Sequence, residues 1–262
     1  MDPILTFWHN LGTVLFGLIV GSFLNVVIYR LPRGQSIVLP RSSCTNCRQP
    51  LRWRDNIPLV SYLILRAKCR TCSSTISFRY PAVEFLTALL FLASQYHFGW
   101  SPLLVLRDWS FLAILIAVTF IDLEHRIIPD VLSLGGLVLG LVTCWWVPDL
   151  GWVSSFGGAA LGFCIFYSIA GLYERMSGRS GLGGGDIKLL AMLGAFLGPR
   201  GVFATILISS VFGSIVGIGW ATIVGQKKVM KTAIPFGPFL VLGALYYYFF
   251  GDTLWLRFMI PT

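Results

Sequence analysis

Of the eleven carboxylates in this 262-residue chain, five stand where long apolar runs end: Glu84, Asp122, Glu124, Asp130 and Asp186. A carboxylate at or inside a membrane span is expensive to keep there, which makes each a candidate for chemistry. Asp122 closes the apolar run Phe111 to Ile121, at the C-terminal end of a predicted helix, where a negative charge opposes the helix dipole. Asp130 follows Pro129 at the start of the next predicted helix, where both residues have an ordinary structural use. Asp186 follows Gly183-Gly184-Gly185 and opens an apolar helix. An Asp there is well suited to be an N-cap, but three glycines also leave room for an extended substrate strand to approach. No nucleophilic triad competes. His9 and His97 lie toward the opposite face, His125 stands in a basic turn, and Cys144 and Cys164 sit in apolar runs.

Asp122 and Asp186 are separated by 63 residues, so only the fold can bring them together. If it does, two like charges a few ångströms apart cannot both ionise, and the pair shares one proton. One carboxylate takes a proton from water while the other polarises a scissile carbonyl, and the roles then exchange. That is aspartic-protease chemistry, with Asp122 and Asp186 as the predicted catalytic pair.

A second constellation is metallic. Cys44-x-x-Cys47 and Cys69-x-x-Cys72 present four thiols as two knuckles. Four thiolates close a tetrahedral zinc shell, so the ion predicted at Cys44, Cys47, Cys69 and Cys72 is structural and leaves no open position. Two disulfides are the competing reading, disfavoured if the loop faces a reducing compartment.

The elements that must hold these residues are membrane helices. The chain is 56% hydrophobic and 12% charged, against about a quarter charged in soluble domains. Eight apolar runs read as spans, at about 9–29, 81–98, 109–127, 128–147, 152–173, 186–199, 202–224 and 234–250. The predicted fold is an all-α polytopic membrane protein. It divides into a first transmembrane helix (1–30), a tetra-cysteine zinc-binding loop domain (31–80) and a transmembrane helical bundle carrying the acids (81–262). The first span lacks the basic start and cleavage site of a signal peptide. Ten of the 20 Lys and Arg lie in 30–80, one in 121–130, three in 174–190 and three in 225–233. Only Arg107, Arg200 and Arg257 fall on the other side, so the positive-inside rule puts the cysteine loop and both acids at the cytoplasmic face. This charge reflects topology and anionic lipid, and calls for no nucleic-acid partner. Small residues within spans, such as Gly157, Gly158, Gly162, Gly213 and Gly217, read as close helix packing.

Six segments in order resemble the type IV prepilin peptidases: Gly21-Ser22-Phe23-Leu24-Asn25 running to Pro32, the paired cysteines with Asn56-Ile57-Pro58-Leu59-Val60-Ser61-Tyr62, Ser77 to Glu84, Asp122 to Asp130, Gly183 to Lys188, and Pro235-Phe236-Gly237-Pro238. Ala67 departs from the glycine many relatives carry. The resemblance implies that Asp122 and Asp186 are the family's motif aspartates in a multi-pass protein of the bacterial inner membrane. It implies type IV prepilins or type II secretion pseudopilins as substrates, cut after a leader glycine at the cytoplasmic face. It also implies N-methylation of the new terminus from S-adenosyl-L-methionine, for which no dinucleotide-type glycine loop is visible. The leaders are basic, as is the loop, so scarce acids such as Glu84 or Glu124 are expected to meet the leader. The competing readings are a presenilin-like intramembrane protease and a non-enzymatic proton or metal carrier.

Overall fold

The computed structural model describes residues 3–147, 150–178, 183–224 and 235–259. Among them the chain forms eight α-helices: α1 (Pro3–Arg30), α2 (Val60–Ile64), α3 (Arg79–Phe98), α4 (Pro102–His125), α5 (Asp130–Thr143), α6 (Gly151–Ser177), α7 (Gly184–Val224) and α8 (Gly237–Met259). Arg179 and the basic stretch 225–233 lie outside the described residues, as does the side chain of Arg257.

Among the described residues, four helices are long and apolar enough to cross a membrane: Pro3–Arg33, Pro102–His125, Gly151–Ser177 and Gly184–Ile223. The other expected spans fall on helices that are shorter, more polar or fused. α5 has 14 residues, about 21 Å of helix, short of the roughly 30 Å hydrocarbon core. The apolar run of α3 is interrupted by Glu84, Gln95 and His97. α7 covers two of the expected spans in one run of 41 residues, broken where Gly198 takes φ 70° and ψ −178°. Only glycine enters that region readily, and Pro199 behind it lacks the N–H to continue the ladder.

The chain divides into two compact units, Met1–Ala117 and Val118–Thr262. In the first, α1 crosses α3 closely. A Cβ on Gly17 would lie 2.6 Å from the Ala88 Cα, and one on Gly21 2.6 Å from the Glu84 Cα. Two glycines one helical turn apart thus let two backbones touch, the usual device where lipid supplies no hydrophobic drive. Nearby, Trp109 in the second turn of α4 stacks on Phe91 at 4.8 Å. Arg107 is buried in an ion pair with Asp108 at 2.9 Å.

In the second unit, α6 and α7 meet backbone to backbone. Side chains added at Gly158 or Gly194 would run into the main chain of the other helix, and Gly162 abuts Leu190. The expected packing role thus holds for Gly158 and Gly162, while Gly217 has nothing within 4 Å. α5 lies against α7, where Gly140 faces Ala195 and Phe196. α8 approaches α7 where Gly243 faces Thr205. Leu189, Leu190, Met192, Leu193 and Ala195 of α7 are fully enclosed, so this helix is the axis of the unit.

Candidate functional site

Asp122 occupies the last turn of α4, and its backbone carbonyl accepts the Arg126 N–H at 2.9 Å. Arg126, at φ 57°, turns the chain, and Pro129 then caps α5. Pro129 is the residue just before the helix, at the start where the sequence placed it. The Asp122 side chain is buried. Its Oδ2 accepts a 3.0 Å hydrogen bond from the backbone N–H of Gly237, the first residue of α8, 115 positions away. The first N–H groups of a helix have no internal partner and favour an anion. Asp122 fills that role for α8 while α8 holds one carboxylate oxygen in place.

Asp186 is the third residue of α7 and is half-buried. Its N–H donates to the Gly183 carbonyl at 3.0 Å. The carboxylate folds back over Gly183, where a Cβ would lie 3.0 Å from Oδ2. At Gly185 a Cβ would lie 2.9 Å from the Cβ of Ile128, in the turn that follows Asp122. The glycines expected to admit a substrate strand are thus used first by the chain itself. One clears space for Asp186, and the other lets the start of α7 approach the α4–α5 turn. The two carboxylates are close enough to interact electrostatically. Asp130 stands apart and pairs with Lys188 at 2.7 Å, both partly exposed, consistent with a structural use.

A cavity of about 340 Å³ lies among Ser210, Gly213 and Ser214 of α7 and Phe236 and Phe239 of the α8 entrance. Phe236 precedes Gly237, the residue clamped to Asp122. Its ring faces Phe166 of α6 at 6.3 Å and Phe239 at 6.4 Å.

The four cysteines form a separate site within the first unit. Their sulfurs all lie within 4.8 Å of one another, and Cys44 and Cys72 are 3.8 Å apart. Sulfurs about 2.3 Å from a tetrahedral zinc are about 3.8 Å apart, whereas a disulfide would need about 2.05 Å. All four thiols are free. The two knuckles share one geometry. Arg48 and Ser73, each just after a second cysteine, both sit at positive φ. Each donates its N–H to the carbonyl of the first cysteine, at 2.9 Å in both. Short bridges Ser43–Pro50 and Lys68–Thr75 close the knuckles. A hydrogen bond with the Ser74 hydroxyl at 3.1 Å holds the Cys72 thiol down to about 6, which readies it as a thiolate ligand. Arg70 clasps Asp55 at 2.7 Å across the loop and keeps that carboxyl below its usual range.

Glu84, one of two acids offered to a basic leader, is bonded within its own unit. It is buried, and its Oε2 accepts the Leu59 N–H at 2.8 Å. Leu59 has φ 58° and ψ −48°, and the Val60 N–H reaches the Pro58 carbonyl at 2.6 Å around it. This is a γ-turn of the rare, strained hand, pinned by a buried carboxylate. Asn25 adds a tie through its Nδ2 to the Tyr80 carbonyl at 3.0 Å. Segments 21–32, 56–62 and 77–84 therefore converge in one unit, and 122–130, 183–188 and 235–238 converge in the other.

The chain has relatives among known proteins. The chain matches the Bacterial Peptidase A24 N-terminal domain over residues 15–98 and the Type IV leader peptidase family over residues 109–218. It is 37% identical over 270 residues to a prepilin leader peptidase/N-methyltransferase of Pseudomonas aeruginosa, covering 93% of this chain and 91% of that protein. The chain belongs to the type IV leader peptidase family. Further members bearing the same name are 39% identical in Legionella pneumophila, covering 92% of this chain and 91% of the relative, and 44% identical in Myxococcus xanthus, covering 78% and 61%. No solved structure matches the chain significantly. Gly237 and Glu84 are the leader-peptidase residues whose roles sequence reasoning missed. Their signals were present as a Gly between two near prolines and a Glu at the end of the Ser77–Glu84 segment, but neither partner was local.

Proposed function

We propose that this type IV leader peptidase is a bifunctional prepilin leader peptidase and N-methyltransferase, cutting type IV prepilins or type II secretion pseudopilins with Asp122 and Asp186. The interaction of these two acids at one end of the helical unit carries this reading, supported by the names of relatives aligned along most of the chain. The leader's scissile carbonyl sits between the two side chains with a water molecule. One carboxylate takes the water's proton, the oxygen attacks the carbonyl carbon, and the other donates a proton to the carbonyl oxygen. The tetrahedral intermediate collapses with protonation of the leaving amine, and the shared proton returns to the pair. The Gly237 N–H keeps Asp122 from rotating, which is the preorganisation that such chemistry needs.

The cavity lined by Ser210, Gly213, Ser214, Phe236 and Phe239 receives apolar side chains of the substrate helix beyond the cut. An eight-span arrangement with the 31–80 loop and both acids at the cytoplasmic face of the inner membrane completes the reading. In it, 1–30 forms the first span and 81–262 the catalytic bundle. The loop would hold a structural zinc through Cys44, Cys47, Cys69 and Cys72, whose sulfurs fit the tetrahedral spacing; four thiolates leave the ion no place for substrate. S-adenosyl-L-methionine supplies the methyl group when bound, but none of the described residues is assigned to it.

The test is cleavage of a model prepilin by purified protein in detergent, comparing wild type with Asp122→Asn and Asp186→Asn. Loss of cleavage in both supports the reading. Full leader removal by either variant overturns it, and a cut within the substrate's membrane span would favour the presenilin-like alternative.

A further inference from the structure

The cysteine loop exposes a surface that neither peptide cleavage nor metal binding uses. In α2, Val60, Leu63 and Ile64 fall at spacings of three and four, so they share one helix face. All are exposed, Leu63 by 74% and Ile64 by 70%. Trp53 (74%) and Phe78 (73%) in the same loop are equally bare. So many large apolar side chains on a short water-facing segment mark a contact surface.

The charge around this surface selects its occupant. Residues 30–80 carry ten Lys and Arg and one acid, Asp55, which Arg70 already holds. Arg52, Arg54, Arg66 and Lys68 are exposed beside the apolar residues, and the Arg54 guanidinium lies over the Trp53 ring at 5.4 Å. A second copy would bring the same positive charge, and a basic leader would be repelled. An anionic lipid surface satisfies both the apolar and the cationic groups.

Geometry supplies the proximity. The loop leaves α1 at Arg30 and enters α3 at Arg79, two helices in close contact through Gly17 and Gly21. Both junctions carry an arginine over a tyrosine: Arg33 on Tyr29 at 4.1 Å, and Arg79 on Tyr80 at 4.9 Å. Such aromatic and basic pairs belong at the headgroup level.

We propose that the loop is a peripheral lipid-binding module, with Trp53, Val60, Leu63, Ile64 and Phe78 seated among headgroups and the surrounding arginines on lipid phosphate. The full chain carrying Leu63→p-benzoylphenylalanine or Ile64→p-benzoylphenylalanine, both at exposed positions, would be placed in phosphatidylcholine vesicles with increasing phosphatidylglycerol. After irradiation, mass spectrometry identifies the adduct. The expected result is a phospholipid adduct whose yield rises with phosphatidylglycerol. The yield should fall in high salt, and by up to about fivefold per cation removed in Arg52→Gln, Arg54→Gln and Arg66→Gln. The proposal is overturned by a crosslink to a second copy, by one to added prepilin, by no lipid adduct, or by a yield indifferent to lipid charge.

Discussion

Gly237→Ala isolates the clamp on Asp122 more cleanly than any change to the acid itself. Gly237 has no positive φ, so alanine fits its backbone. The new Cβ would lie 2.7 Å from Asp122 Oδ2, 3.2 Å from Cγ and 3.4 Å from Cβ. To regain ordinary contact the oxygen must retreat by roughly 0.7 Å. The hydrogen bond, now 3.0 Å, then stretches beyond useful length. A hydrogen bond to a charged acceptor is worth about 1.5–3 kcal/mol, or roughly 10- to 150-fold in rate if felt fully in the transition state. A misplacement of about 1 Å at a reacting group costs about 100-fold by an independent route. The expected result is a fall in kcat of about 30- to 100-fold, with KM for the prepilin nearly unchanged. The assay is steady-state leader cleavage, with thermal unfolding in the same detergent as the check on folding. Gly135→Ala, where a Cβ meets nothing within 4 Å, is the neutral control. Adding Gly237→Ala to Asp122→Asn should lower cleavage little further, because the clamped group is already disabled. A folded Gly237→Ala protein that cleaves within twofold of wild type would refute the clamp.

Four further outcomes follow from the same geometry. Asp122→Asn and Asp186→Asn should each lower cleavage by about 10²- to 10⁴-fold, whereas Asp130→Asn should stay within a few-fold, since its exposed pair with Lys188 is worth about 0–1 kcal/mol. Replacing Cys44 or Cys72 with serine should abolish stoichiometric zinc, measured by atomic emission, and expose the loop to protease, as should a strong chelator. Gly194→Ala should lower the unfolding midpoint, because its methyl meets the Gly158 backbone, with overpacking costing about 1–3 kcal/mol; Gly171→Ala, in open space, should not. Gly213→Leu should fill the cavity beside Phe236 and Phe239, raising KM for prepilins while leaving the unfolding midpoint near wild type.

Much of this was legible in the chain because the governing signals are local. Apolar run length drew the helices, and two CxxC pairs announced the knuckles. Acids stranded at the ends of apolar runs stood out against a membrane background. Long-range partnerships were not legible. Nothing near Asp122 names Gly237, and nothing near Glu84 names Leu59, because each bond joins a side chain to a backbone N–H whose residue type carries no trace of it. The break in α7 was visible as Gly198-Pro199, but the apolar pattern alone set the gap between spans a few residues later. The glycines before Asp186 were read as room for substrate because their own neighbours, the Asp186 carboxylate and Ile128, become apparent only once the chain is folded.

The γ-turn at Leu59 has a consequence for how this segment tolerates change. Glu84 grips a main-chain N–H there, at a positive φ. Glycine at position 59 would keep the grip and relieve the strain, and most other side chains would keep it at the present strain. Proline would be barred twice, lacking the hydrogen and unable to reach that dihedral. Position 84 has no such latitude, because a shorter or apolar replacement leaves the N–H unanswered. Drift should therefore run freely at the pinned residue and stall at the one that pins it.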